Sequence, residues 1–436
     1  MSMYEHGWLD VWGDSDAVRD LLFRGLFALI TLMAAWGPLR ELGSGGGWRS
    51  GTLGARAGDR LSSRAGRTTL GLLLAVSAGA FTAGVALWAA LVLLAAGFHL
   101  LVVVYLSQEH SGYTTEEDDG TKTFHVHHHL HLLGMTLLAM VCTVGVLGPA
   151  GAAGPGTSHA AQALWGAIAA HYVVAAVAKV RKRGLRWPDR RLFPFYLTLF
   201  ARYSAGDGQP LPERGPARAL TLHPQWGVLL LWAALLLEFS TPVMLIGYGP
   251  RLVIAVSLVV FHLCCRWWLM VDFRENAMLA ALAALPLPHD GHGLLAPESA
   301  AVPLAVAAAC AAVSLILGDR VYPFSSLPMF TAPYRPATVI SLRSPDGTVV
   351  HPAPAHLGST TSALSRQYDA AAARNQVEAF LAELRDTAAA RGTPLPGEAV
   401  LWREVVTVSP EGRVDISQTP LERHPGAGPS SSTAAD

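Results

Sequence analysis

Residues 69–106 read TLGLLLAVSAGAFTAGVALWAALVLLAAGFHLLVVVYL, a stretch without a single Asp, Glu, Lys or Arg. A helix rises about 1.5 Å per residue, so about 20 apolar residues cross the hydrocarbon core of a bilayer. The stretch is long enough for two crossings, and the small residues at 80–84 mark the turn between them. Working outward, further spans fit 17–39 before it and 132–147, 161–180, 226–246, 252–270 and 302–317 after it. Two shorter apolar pieces, 192–200 and 277–285, are too short to cross unaided and are expected to be re-entrant or interfacial. The whole chain agrees, with 51% hydrophobic and only 15% charged residues and a mean hydropathy of +0.34. Soluble chains carry about 25% charged residues. The expected fold class is an all-α polytopic membrane bundle of about eight transmembrane helices, followed by a small α+β C-terminal soluble domain.

That domain is expected over 336–420. Thr338-Val339-Ile340-Ser341-Leu342 and Thr348-Val349-Val350, separated by Ser-Pro-Asp-Gly, read as a hairpin. Residues 368–391 read as one amphipathic helix ended by Gly392, and 400–408 with 413–416 as a second hairpin across Pro-Glu-Gly. Residues 421–436 are rich in Gly, Ser and Ala and are expected to be disordered. At the other end, residues 1–16 are acidic and aromatic, which suits an interfacial segment and not a cleavable signal peptide. The membrane domain then occupies 17–335. Arginines 40, 49, 56, 60, 64 and 67 and the basic strip 181–191 place two loops in the cytoplasm, and the helix count puts the 108–131 loop on the same side. Zero net charge argues against nucleic acid as a partner. The four cysteines lie in apolar runs with no CxxC pair, so neither zinc nor a disulfide framework is indicated. Abundant Ala and Arg with only three lysines suggest a high-GC bacterial genome and hence a bacterial cell membrane.

Three stretches carry chemistry. The loop after the third span runs Glu116-Glu117-Asp118-Asp119-Gly120-Thr121-Lys122-Thr123-Phe124-His125-Val126-His127-His128-His129-Leu130-His131. Carboxylates suit Mg²⁺ and diphosphate, whereas imidazoles suit transition metals or acid–base work. The bland alternative is a solvated acidic loop with interfacial histidines. Lys179 closes an otherwise apolar helix, where it either snorkels to the interface or, buried at a site, serves as a base. The stretch Phe261-His262 to Phe273 holds His262 and Arg266 one turn apart, with Asp272, Arg274 and Glu275 following. Ionisable groups within a span are functional candidates because lipid exposure costs them heavily. Glu238 is another such group, with Arg266 or His262 as its expected partner, and a structural buried ion pair is the alternative.

Taken together these stretches resemble, in order, the motifs of the carboxylase-like membrane superfamily that includes vitamin K-dependent gamma-carboxylase and bacterial HTTM-domain proteins. His128-His129-Leu130-His131-Leu132 is similar to its Asn-His-x-Tyr-Leu, and Tyr172 to Lys179, followed by Trp187, to its Tyr-Phe-x-Ala-Gly-x-x-Lys. Leu237-Glu238-Phe239-Ser240-Thr241-Pro242 is similar to its Leu-Glu-x-x-x-Pro, and Phe261-His262 through Phe273 and Met278 to its Phe-His…Phe…Met. Tyr322-Pro323-Phe324-Ser325-Ser326-Leu327-Pro328-Met329-Phe330 resembles the motif that ends many bacterial members. The resemblance implies a catalytic base at Lys179, a site histidine at His129 and an apolar cavity for an isoprenoid quinone. His128 and His131 depart from it, standing where the family favours Asn and Tyr.

The expected function is that of an integral-membrane enzyme acting on an isoprenoid, by Mg²⁺-dependent ionisation and cyclisation of a prenyl diphosphate in the manner of a terpene cyclase. Glu117, Asp118, Asp119 and His125 would hold the metal, and Arg181, Arg183 and Arg186 the diphosphate. Phe261, Trp267, Trp268 and Phe273 would line the chamber and stabilise carbocations, with Lys179, His129, His262, Asp272 and Glu238 as the catalytic set. One alternative is proton abstraction or carboxylation driven by a reduced quinone and oxygen, with Lys179 as base. Others are an accessory role in maturing or exporting peptide toxins, and a transporter, although no inverted repeat is visible.

Overall fold

Where the sequence is apolar the chain is helical, because a backbone in lipid must satisfy its own hydrogen bonds. The structure is a computed structural model and describes residues 16–42, 53–107, 113–116, 122–125, 128–148, 155–206, 216–269, 273–286, 300–317, 322–323, 336–343, 361–390 and 400–421. Its helices run α1 (Asp16–Glu41), α2 (Leu53–Ser62), α3 (Arg64–Ala83), α4 (Leu87–Leu106), α5 (His128–Leu147), α6 (Pro155–Arg183), α7 (Leu192–Gly206), α8 (Pro216–Leu222), α9 (Pro224–Ser240), α10 (Tyr248–Leu269), α11 (Arg274–Ala283), α12 (Ala301–Leu317), α13 (Thr361–Ala373) and α14 (Val377–Ala390). A short hairpin, β1 (Tyr113–Glu116) and β2 (Lys122–His125), lies between α4 and α5. Among the described residues six helices are long and apolar enough to cross a membrane, so the protein is a multi-pass membrane protein. They are α1, α4, α5, α6, α9 extended by the 3₁₀ turn Thr241–Ile246, and α10. The other two of the eight expected spans are α3, which opens on Arg64 and Arg67, and α12, which has 17 residues.

The expected turn between α3 and α4 is built on Gly84, whose φ of 73° is left-handed. Its N–H reaches the Phe81 carbonyl and that of Val85 reaches Ala80, which closes the last turn of α3 in a Schellman arrangement. At the other end of α3, Ser63 caps the helix by accepting from the Gly66 N–H at 3.0 Å.

The chain forms two compact units, the first comprising Met1–Gly184, Ala234–Leu263 and Asp272–Met329. Its centre is α6, against which α5, α11, α12 and the Thr241–Ile246 turn all pack. Small residues make this possible. Ala160, Ala163, Ala167, Ala170 and Ala176 are buried, and a side chain on Gly166 would lie 2.6 Å from the Pro303 carbonyl of α12. In a bilayer, where apolar burial gives no drive between helices, such close approach supplies the packing energy. On the outside, Leu21, Leu29, Val76, Leu93, Val253 and Val256 are exposed, as side chains that face lipid must be.

The second unit comprises Leu185–Ala233, Cys264–Val271 and Phe330–Asp436. Its sheet is antiparallel in the order β3 (Ala337–Arg343), β4 (Val400–Val408), β5 (Val414–Pro420). Successive side chains of a strand face opposite ways. Val339 and Val406 pack on Phe195 and Leu199 of α7, whereas Ile340 and Leu401 pack with Leu364, Tyr368, Phe380 and Leu384 of α13 and α14.

Two expectations change here, and one strand takes a partner that the sequence did not suggest. The apolar piece 192–200 is the part of α7 that seats Phe195 and Leu199 on the sheet, and this packing accounts for its hydrophobicity. The single helix expected at 368–391 is two helices, because Asn375 takes a left-handed φ of 55° and Gln376 N–H closes on the Ala371 carbonyl at 2.8 Å. Finally, β3 pairs with β4, from Ala337 opposite Val406 to Arg343 opposite Val400. Residues 348–350, its expected hairpin partner, lie outside the described residues. The second expected hairpin is present as β4 and β5.

Candidate functional site

Tyr172 and Lys179 stand seven residues apart on α6, two turns of helix, and so share one face. Both are buried. Lys179 Nζ forms an ion pair and hydrogen bond with Glu238 Oε1 of α9, and Tyr172 Oη is hydrogen-bonded to His262 Nε2 of α10. Glu238 and His262 are also buried. A hydroxyl at the end of α9 fixes its position: Thr241 Oγ1 is 3.1 Å from the Ala169 carbonyl of α6 and 2.9 Å from that of Glu238. The His262 ring lies between Phe261 and Phe273, at centroid distances of 5.2 and 5.4 Å.

One face of α6 therefore carries two polar pairs inside an apolar bundle. In each pair one atom is left over, because Glu238 Oε2 and His262 Nδ1 are buried with no hydrogen-bond partner among the described residues. Leaving such an atom unpaired costs about 1–3 kcal/mol. The pairing also corrects the sequence reading of Glu238. Its partner is Lys179, while His262 is engaged by Tyr172 and the Arg266 side chain is exposed. A long, flexible lysine stem lets the amine reach a carboxylate on a neighbouring helix, which a motif-by-motif reading does not reveal.

The remaining candidates fall in several places. Arg181 is exposed and Arg183 half-buried in the last turn of α6, where cations complement the helix dipole. Arg186 is exposed in the 3₁₀ turn Gly184–Arg186. Trp267, expected in the aromatic chamber, is 68% exposed and Trp268 half-buried, whereas Phe261 and Phe273 contact the His262 ring. Glu117, Asp118, Asp119 and Asp272 lie outside the described residues. His125, paired with Tyr113 in the β1–β2 hairpin, and His129, in the first turn of α5, are described in their backbone alone. Among the described residues no three His, Cys, Asp or Glu side chains gather as a metal site would require.

Two features escaped the sequence reading. Arg251 is buried at the start of α10, with its guanidinium 3.7 Å over the Trp165 ring and its Nε donating to the Ala283 carbonyl at 3.0 Å. It ties the C-terminus of α11 to α6 and α10. The other is a cluster of His99, His131 and Tyr322, for which a lone histidine inside the charge-free 69–106 stretch was the available signal.

No family model, no curated protein and no solved structure matches the chain.

Proposed function

We propose that the chain is an integral-membrane enzyme that transforms an isoprenoid-type lipophilic substrate, with the Lys179–Glu238 pair as its acid–base group. The observation that supports this is the burial of an amine and a carboxylate against each other inside the bundle, with Glu238 Oε2 unpartnered. A proton passing from the ammonium to the carboxylate leaves a free amine and a carboxylic acid without changing the net charge. The amine is then a base that removes a proton from a bound lipid, and the acid returns one. Tyr172 holds His262 through Nε2, leaving Nδ1 to hydrogen-bond an oxygen of the substrate.

Ionisation and cyclisation of a prenyl diphosphate ends in a proton loss of this kind. Its Mg²⁺ would rest on Glu117, Asp118 and Asp119, outside the described residues, so what supports the reading is the base and not the metal. A second reading, proton abstraction by a reduced quinone and oxygen, uses the same base and asks nothing of the acidic loop.

The test is to express the protein in a bacterial host supplied with prenyl diphosphates and to analyse extracts for new hydrocarbons or alcohols. A new product, lost on Lys179→Ala and on Asp118→Asn/Asp119→Asn, is the outcome expected of cyclisation. Turnover that ignores the aspartates, needs a quinol with oxygen and is lost on Lys179→Ala selects the second reading. Activity indifferent to Lys179 in both assays removes the proposal.

A further inference from the structure

Helix α9 begins a membrane span at Pro224, so the residues around Pro224 stand at the boundary between hydrocarbon and headgroups. The second unit packs several elements together at that boundary. A Cβ on Gly412, in the turn between β4 and β5, would lie 2.9 Å from the Arg190 carbonyl and 3.3 Å from the Pro224 ring. One on Gly227, in the first turn of α9, would lie 2.9 Å from the Phe193 ring. The starts of α7 and α9 and the β4–β5 turn are therefore in contact, and α8 packs on α7. This places Arg190, just before α7, at the level of Pro224.

α8 runs into the same place. Its Leu220 is buried, whereas Arg218 and Leu222, four residues apart on one face, are exposed. Past Pro224, Trp226 and Leu229 are 57% and 58% exposed. From Arg218 to Leu229 the exposed side thus passes from a guanidinium through Leu222 and an indole to a bare leucine. A bilayer read inward has the same order, with charge among the phosphates, tryptophan at the interface and leucine along the acyl chains.

The positive charge here lacks a counterpart among the described residues. Between 185 and 233 they hold five arginines and one carboxylate, Asp189. Arg191 takes that carboxylate through Nε at 3.1 Å and Nη2 at 2.6 Å, and Arg202 stands 3.4 Å from Glu404. Arg186, Arg190 and Arg218 remain, all exposed, and none of their side chains forms a hydrogen bond or ion pair with a described residue. The β4–β5 turn adds Glu411 and Arg413, whose charges cancel.

We infer that Arg190 and Arg218 form a headgroup site for an anionic phospholipid at the start of α9. Their guanidiniums bind the lipid phosphate, while Leu222, Trp226 and Leu229 lie along its interfacial and acyl parts. A zwitterionic lipid brings an ammonium of its own, which uncompensated arginines repel, so the site favours lipids of net negative charge. This face shares no residue with the Lys179–Glu238 pair and does not depend on its function.

The test titrates the full chain, in detergent micelles, with phosphatidylglycerol or phosphatidylcholine and reads bound lipid by native mass spectrometry. The parent is expected to retain phosphatidylglycerol under conditions that strip phosphatidylcholine. Arg190→Gln with Arg218→Gln should weaken phosphatidylglycerol by about 5-fold for each arginine removed and leave phosphatidylcholine as it was. Arg190→Lys with Arg218→Lys keeps the charge and should restore most of the preference. Both double variants should keep the helical content of the parent, since neither arginine side chain has a contact of this kind to lose. Inorganic phosphate in excess should leave the lipid in place, because its acyl chains contribute to binding. Equal retention of the two lipids by the parent, an unaltered preference in the glutamine variant, or release of the lipid by inorganic phosphate overturns the inference.

Discussion

Two of the buried carboxylates are held by different cations. Glu238, in the first unit, is paired with the amine of Lys179, and its other oxygen has no hydrogen-bond partner among the described residues. Glu404, on β4 of the second unit and wholly buried, forms an ion pair with Arg343 Nη2 and accepts from Ser341 Oγ at 3.2 Å. Arg202 Nη1 of α7 stands 3.4 Å from its other oxygen, which like Glu238 Oε2 has no hydrogen-bond partner among the described residues, and Ser341 Oγ accepts in turn from Arg343 Nε at 3.0 Å. Burial draws the Arg343 guanidinium below its ordinary pKa, and the neighbouring Glu404 charge opposes that change. A guanidinium does not give up its proton in a protein, whereas an amine can. The Glu404 network therefore ties β3 to β4, with Arg202 of α7 at its edge, whereas under the proposed function the Lys179–Glu238 pair moves a proton.

This contrast is exposed to test. The largest effect is expected for Lys179→Ala, which should lower turnover by about 10²–10⁴-fold. Lys179→Arg keeps the ion pair but supplies no base, and product analysis should find it equally inactive. An active Lys179→Arg enzyme would make this pair structural and erase the distinction. Next comes Arg343→Ala, which leaves a buried carboxylate short of its main partner and should cost about 3–5 kcal/mol. Hydrogen exchange of β3 and β4 reads that loss, with exchange in α6 unchanged.

A smaller effect is expected when both members of the first pair are replaced. Lys179→Met with Glu238→Leu should leave thermal unfolding within about 1 kcal/mol of the parent or raise it, because apolar residues of similar volume replace buried ion pairs without loss. Turnover should still be absent, which separates chemistry from stability in one protein. The smallest effect is that of Arg202→Ala. Its side chain is 30% exposed, and such pairs contribute about 0–1 kcal/mol. Denaturant titration of the second unit checks it.

Much of this was legible in residue order. An apolar run with no charge is a helix in lipid whatever it packs against, so the spans and the α3–α4 turn at Gly84 follow from composition alone. The spacing of Tyr172 and Lys179 already put them on one helix face. In the second unit, strand alternation puts Val339, Ser341 and Arg343 on one face of β3, the face on which Glu404 of β4 lies. The break at Asn375 was not legible, because asparagine in a left-handed cap looks like any polar residue on an amphipathic helix.

What the sequence determined by itself is the membrane class, the helix positions and the residue types available for chemistry, since each depends on local hydrophobicity and spacing. Tertiary structure decided the partnerships: Lys179 with Glu238 across 59 positions, Tyr172 with His262 across 90, and β3 with β4 across the two helices between them. These contacts join residues far apart in the chain, and which side chains meet is set by how helices seat against α6 and by strand register. Short-range pattern contains neither.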